Sequence, residues 1–190
     1  MAQEIAETSS VLPVTKTVTS TARAGRKLVM PVHVPLTKGV ITVDPELCAG
    51  CMRCVHTCAL FNFGVGSHEL SRMRMLASTK YEFDAYAAPC QQCVDPQCLR
   101  YCPVGAISVN NTTGARVIDD ARCMGCQTCI QHCPYTPPRI AFDSVRKKAS
   151  KCTLCNGNPQ CVKACPTGAL QYYTNPDGIR TGYVQPERSA

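Results

Sequence analysis

The sequence predicts an α+β fold of two tandem modules with short β-hairpins, carried between extended N- and C-terminal arms. Three observations predict it. All 16 cysteines fall into four quartets of similar spacing, with none left over. Short runs of β-branched and aromatic residues follow or separate the quartets. Both ends of the chain lack cysteine, over residues 1–37 and 174–190. The modules occupy residues 38–173 on this reading.

The quartets are Cys48, Cys51, Cys54 and Cys58; Cys90, Cys93, Cys98 and Cys102; Cys123, Cys126, Cys129 and Cys133; and Cys152, Cys155, Cys161 and Cys165. The last three run directly into Pro103, Pro134 and Pro166. The third, Cys123-Met-Gly-Cys126-Gln-Thr-Cys129-Ile-Gln-His-Cys133-Pro134, has the spacing by which bacterial ferredoxins bind a [4Fe–4S] cluster. Three thiolates wrap one face of the cube, and the fourth, leaving on the next turn, ligates the other cluster of a pair. Two such units make a two-cluster ferredoxin module, so four make two modules. Four [4Fe–4S] clusters are expected, with iron held by all 16 cysteines.

Residues 1–37 are rich in Thr, Ser, Ala and Val, and Pro31 and Pro35 interrupt any helix. They read as an extended arm, lying on a partner subunit or on this chain's own surface. Val40–Val43 is a short β run, and Asp44-Pro45 turns into the first cysteine loop. Ser71–Leu76 alternates polar and apolar residues, with Met73 and Met75 on one face, as in a half-buried strand packed on a core. Tyr81–Tyr86 is a further strand or a loop. Ala106–Val109 and Ala115–Ile118 flank Asn110-Asn-Thr-Thr-Gly114 and read as a hairpin. Arg139–Asp143 is another strand, and the basic run 145–151 leads into the fourth quartet. Ala169–Tyr173 is a last strand, closed by a turn at Asn175-Pro-Asp-Gly178. The repeating unit is a loop of three ligands, a helical turn carrying the fourth, and a strand. Small residues after the fourth cysteine, in Pro103-Val-Gly-Ala106 and Pro166-Thr-Gly-Ala169, let backbone N–H groups approach the sulfurs.

Composition agrees with metal as a structural element. There is no Trp and there are only 4 Phe, so large core-filling side chains are scarce and clusters must help hold the chain. The formal charge of +7 treats every cysteine as neutral. Four oxidised clusters with their thiolates contribute about −8, which leaves the loaded protein near −1. The basic residues therefore counter the clusters, and no basic helix with interleaved aromatics marks a nucleic-acid site. Neither a signal peptide nor a twin-arginine motif nor a membrane-spanning run is expected, which places the thiols in a reducing cytoplasm. Zinc could occupy paired CxxC knuckles, but it does not require the third cysteine or the trailing Cys-Pro. His56 and His132, close before fourth cysteines, read as loop packing before they read as tuning groups. No glycine-rich phosphate loop, activated nucleophile or open ligand position offers catalytic machinery.

The span 40–173 resembles the four-cluster iron–sulfur subunits that accompany molybdenum and tungsten oxidoreductases such as dimethyl-sulfoxide reductase and formate dehydrogenase. The first quartet, with Cys58-Ala-Leu-Phe-Asn-Phe-Gly64 in place of a trailing proline and Ser71-Arg72 beyond, is similar to the small subunits serving tungsten aldehyde oxidoreductase and class II benzoyl-coenzyme A reductase. The resemblance implies that the first quartet pairs with the fourth and the second with the third. The clusters would then take Cys48, Cys51, Cys54 and Cys165; Cys152, Cys155, Cys161 and Cys58; Cys90, Cys93, Cys98 and Cys133; and Cys123, Cys126, Cys129 and Cys102. It implies a non-catalytic electron-transfer subunit in a hetero-oligomer. The expected partner is a tungsten or molybdenum pterin enzyme, with a flavin- or NAD-linked subunit or a soluble ferredoxin as the other redox partner. The alternative functions are a free polyferredoxin and a ferredoxin-like partner of a carbon monoxide dehydrogenase or hydrogenase complex. A metal-stabilised interaction module without redox activity is the third class.

Overall fold

The apolar run Val40-Ile41 sets the first half of the fold. Both residues are buried in strand β2 (Thr37–Val43) of the computed structural model, which describes residues 11–12, 34–77 and 85–184. The partner of β2 comes from the far end of the chain. Strand β9 (Leu170–Ile179) pairs with it antiparallel, Val43 opposite Leu170 and Val40 opposite Tyr173. This pairing draws the first quartet to the fourth, and helix α1 (Arg53–Phe63) packs on helix α4 (Gln160–Lys163).

The turn expected at Asn175-Pro-Asp-Gly178 does not end this strand. Gly39 faces Thr174, whereas Thr37 faces Ile179, so the extra residues of β9 bulge out and pairing resumes beyond them. Asn175 still makes its local bond, its side-chain oxygen accepting the Asp177 N–H at 3.0 Å. A second partner stretch on β2 allows the chain to run on where an isolated turn would reverse it.

Three hairpins complete the architecture. Strands β3 (Arg74–Ala77) and β4 (Ala85–Ala88) pair between the first and second quartets. The expected strand over Ser71–Leu76 begins later, at Arg74, because the buried Ser71 hydroxyl accepts the Met73 N–H at 3.2 Å. Met73 and Met75 nevertheless pack into one core. Of the reading over Tyr81–Tyr86, residues 81–84 lie outside the described residues, as do all of residues 1–33 except 11–12. Strands β5 (Ile107–Asn110) and β6 (Arg116–Ile118) form the expected hairpin, and the Asn110 side-chain oxygen takes the N–H groups of Thr112 and Thr113 at its turn. Strand β1 (Val11–Leu12) pairs on the free edge of β5, Val11 opposite Asn110. Strands β7 (Ile140–Asp143) and β8 (Lys148–Lys151) form the third hairpin. Residues 148–151 were legible only as a basic lead-in. They fold back because the Asp143 carboxylate accepts the N–H groups of Val145 and Arg146.

Two cores result. One joins Ile41, Val55, Met73, Leu154 and Leu170 with Cys54 and Cys161; the other joins Leu99, Ile107, Val109 and Ile140 with Cys102, Cys123 and Cys129. Thiols are thus part of both interiors. Residues beyond β9 return to the second quartet, where Val94 and Asp95 donate their N–H groups to the carbonyls of Thr181 and Tyr183. Among the described residues no helix is long and apolar enough to cross a membrane.

Candidate metal centres

Each quartet is built by the same local device. The residue before every second cysteine has left-handed backbone: Gly50 (φ 62°), Gln92 (φ 48°), Gly125 (φ 73°) and Leu154 (φ 57°). A left-handed residue in a turn of right-handed ones points successive N–H groups into one concavity, which suits an anion. At Gln92 and Leu154 the conformation is held by complete burial. Gln92 is also bonded at both ends of its amide. It donates to the Cys152 carbonyl at 2.9 Å and accepts the Arg116 N–H at 2.9 Å.

The third cysteine is the second residue of a helix in all four units: Cys54 in α1, Cys98 in α2 (Gln97–Arg100), Cys129 in α3 (Thr128–Gln131) and Cys161 in α4. The helical turn therefore carries the third ligand; the expectation that it carries the fourth holds only for Cys58. Cys102, Cys133 and Cys165 lie just past a short helix. Four residues make about one helical turn, so the third and fourth cysteines still leave on the same side. The quartets with longer second gaps enter the helix through Pro96 and Pro159, and the two compact ones through left-handed Met52 and Gln127.

Three pockets lie among the sulfurs. The first is lined by Cys152, Cys155, Cys161 and Cys58, the second by Cys90, Cys93, Cys98 and Cys133, and the third by Cys123, Cys126, Cys129 and Cys102. In each, the fourth cysteine comes from a different quartet than the other three. Cys54 completes the pattern, since Cys48, Cys51 and Cys165 all act on its charge. The four groups follow one another: Cys54 acts on Cys161, Cys90 on Cys152, and Cys98 on Cys129. None of the thiols is joined to another in a disulfide.

These thiols are crowded and poorly solvated. Burial, and then neighbouring thiols, push Cys54 up to about 11, and Cys129 and Cys152 up to about 12. Cys126, exposed at one end of the series, is lowered by its bond from the Thr128 hydroxyl. Such a set holds protons until a metal core replaces them. The fit is to a cluster. Among the described residues no three Cys, His, Asp or Glu side chains converge as ligands of one ion, whereas a four-iron cube spreads its thiolates around a larger body. Backbone donors already meet the sulfurs, as Ala106 N–H to Cys102 Sγ at 3.2 Å and Arg139 N–H to Cys133 Sγ at 3.3 Å. The first is the small-residue turn expected from the sequence. His132 stacks on Tyr101 at 3.9 Å, with its Nδ1 2.9 Å from the Thr128 carbonyl, and His56 sits edge-on to His68; both pack.

The 4Fe-4S dicluster domain matches residues 81–175, and a 4Fe-4S binding domain matches residues 45–64. The chain belongs to the 4Fe-4S dicluster family. It is 37% identical over 139 residues to the NADH-dependent phenylglyoxylate dehydrogenase subunit beta of Aromatoleum evansii, matching 70% of this chain but 30% of that one. It is 37% identical over 127 residues to the polyferredoxin-like subunit of aliphatic sulfonate oxidoreductase from Pyrococcus furiosus, matching 66% of this chain and 70% of that subunit. The hydrogenase-2 operon protein HybA of Escherichia coli O157:H7 is 31% identical over 164 residues, with 69% of this chain and 50% of HybA covered. An active-site complex of benzoyl coenzyme A reductase aligns at a TM-score of 0.40 and 19% identity, over 79% of this chain and 82% of that one.

Within a dicluster chain the glycine of a cysteine loop has a checkable role. A Cβ on Gly125 would lie 2.1 Å from the Lys147 carbonyl oxygen, besides occupying a left-handed φ. Gly168 has the same backbone sign but nothing within 4 Å. Gly125→Ala is expected to cost more than about 2 kcal/mol, and Gly168→Ala about 1 kcal/mol. Thermal melts of the iron-loaded proteins under anaerobic conditions measure both.

Proposed function

We propose that this chain is the electron-transfer subunit of an oxidoreductase complex and carries four [4Fe–4S] clusters without catalytic chemistry of its own. The observation that carries the reading is the row of four cysteine groups, each drawing its fourth thiol from another quartet. Cys48, Cys51, Cys54 and Cys165 hold the first cluster, and Cys152, Cys155, Cys161 and Cys58 the second. Cys90, Cys93, Cys98 and Cys133 hold the third, and Cys123, Cys126, Cys129 and Cys102 the fourth. A cube with cysteine on every iron supplies one-electron exchange and leaves no position for a substrate.

The protein's own residues do the rest. The loops fix the sulfurs, N–H groups stabilise their charge, and the interior keeps water from the middle groups. The end groups reach the surface through exposed Cys51 and Cys126. Apolar side chains stand exposed beside them, Leu47 at one end and Met124 and Val104 at the other, as suits small redox contacts. The first and fourth quartets form one ferredoxin module of residues 38–173 and the second and third form the other, with the N-terminal arm at 1–37 proposed for docking. The C-terminal arm expected from residue 174 is instead part of the body as far as Tyr183, through β9 on β2 and the bonds to Val94 and Asp95. Support for a complex comes from relatives that are themselves named as subunits of oxidoreductases. A tungsten or molybdenum pterin enzyme is the proposed catalytic partner, in a reducing cytoplasm that keeps the thiols free to bind iron.

Anaerobic isolation of the tagged chain from its native cells tests this. The expected result is co-isolation of a larger subunit carrying a pterin-bound metal, together with about sixteen irons on this chain. A solitary monomer loaded with clusters would instead identify a diffusible polyferredoxin.

A further inference from the structure

The cationic residues are distributed very unevenly among the cysteine groups. Arg116, Arg139 and Lys151 are all buried, at 0%, 8% and 3% exposure, and all surround the group of Cys90, Cys93, Cys98 and Cys133. Arg139 and Lys151 line its cavity. The Lys151 ammonium lies 3.9 Å from Cys98 Sγ, and the backbone N–H of Arg139 bonds Cys133 Sγ, which sets the Arg139 side chain at this group. Arg116 spends one Nη on the Gly114 carbonyl at 2.7 Å. Its Nε and other Nη, and the Nε and one Nη of Arg139, have no hydrogen-bond partner among the described residues.

Burying three cations with donors to spare is costly unless an anion faces them. No carboxylate lines the cavity. The buried Asp95 in the adjoining loop is taken by Arg100, at 2.5 Å, and by the Gln97 amide. The other cavities differ. Arg72 is the one charged residue lining the cavity of Cys152, and no charged residue lines that of Cys123.

We propose that Arg116, Arg139 and Lys151 make the cluster of Cys90, Cys93, Cys98 and Cys133 the most easily reduced of the four, the site where an electron entering the chain comes to rest. The inference rests on the four-cluster reading. Reduction takes a cube with its thiolates from about −2 to about −3, and fixed positive charge in a poorly solvated interior favours the more negative state. These are positioning residues for charge, not ligands.

The test is a potentiometric titration of the anaerobic, iron-loaded full chain followed by electron paramagnetic resonance. Cys98→Ala should remove the highest-potential couple, which locates it. Arg139→Gln and Arg116→Gln should each make that cluster at least tenfold harder to reduce, equal to 59 mV for a one-electron couple, with the other three couples unmoved. Arg116→Lys, which keeps the charge, should restore the parent value. Lys163→Gln, at an exposed site on α4, should leave it unchanged. If Arg116→Gln loses iron, Arg139→Gln and Arg116→Lys still decide the matter. A full iron content with the highest couple unmoved in Arg139→Gln, or a highest couple that survives Cys98→Ala, overturns the inference alone. A parent protein with fewer than four cubes overturns the four-cluster reading instead.

Discussion

Stripping the iron from this protein is expected to abolish its tertiary structure. Both cores are built around cysteines, with Cys54 and Cys161 at the centre of one and Cys102, Cys123 and Cys129 at the centre of the other. Without Trp, and with strands of about four residues outside β2 and β9, the remaining apolar side chains are too few to hold the interior together once the sulfurs lose their metal. Metal binding is then folding free energy, as in other small metal-bound domains. Anaerobic treatment with an iron chelator should collapse amide-exchange protection in β2 and β9 as well as at the loops, since these strands are held together by the first and fourth quartets. Any iron-free fold that survives should weaken further above pH 9. The unfolded chain releases thiol protons at the ordinary value of 9.0, while in the fold Cys54, held up to about 11, and Cys129 and Cys152, held up to about 12, keep theirs. The unfolded state therefore binds fewer protons in that window, and stability falls as pH rises. Retention of native exchange protection after complete iron removal would show that side-chain packing alone holds the fold.

Much of the fold was legible because thiol spacing and β-prone runs are local signals. Val40–Val43, the Asn110–Gly114 hairpin and the strand after Arg139 all follow from residues within a few positions of one another. What escaped notice depends on distant partners. Lys148–Lys151 has the composition of a solvated basic run; it becomes a strand because β7 and the Asp143 turn lie beside it, with Lys151 buried next to Cys98. The strand through Asn175–Gly178 depends on β2, more than a hundred residues away. In the cysteine loops, Gly50 and Gly125 announce a left-handed residue, but Gln92 and Leu154 do not, because burial and the Gln92 bonds impose theirs. The buried cations were hidden for the same reason. Counted along the sequence they were part of a formal charge, and only the three-dimensional arrangement gathers Arg116, Arg139 and Lys151 around one group of sulfurs.

The crossing of the fourth cysteines between quartets gives the other large effect. Cys58→Ala is expected to destroy the cluster of Cys152, Cys155 and Cys161, although it lies in the loop-and-helix unit of Cys48, Cys51 and Cys54. The reason is geometric: α1 packs on α4, and Cys58 lines the cavity with the fourth-quartet sulfurs. Because one cube fails as a unit, the two mutations of a pair that share a cube should not add. Cys58→Ala with Cys155→Ala should cost one intact cube, about four of about sixteen irons. Cys58→Ala with Cys51→Ala should cost two, although both residues belong to the same stretch of sequence. Iron analysis together with the count of intact cubes by electron paramagnetic resonance distinguishes the two outcomes. If the Cys58 and Cys51 pair proved the non-additive one, each quartet would close on its own cluster, and the pairing of β2 with β9 would serve packing without joining the ligand sets.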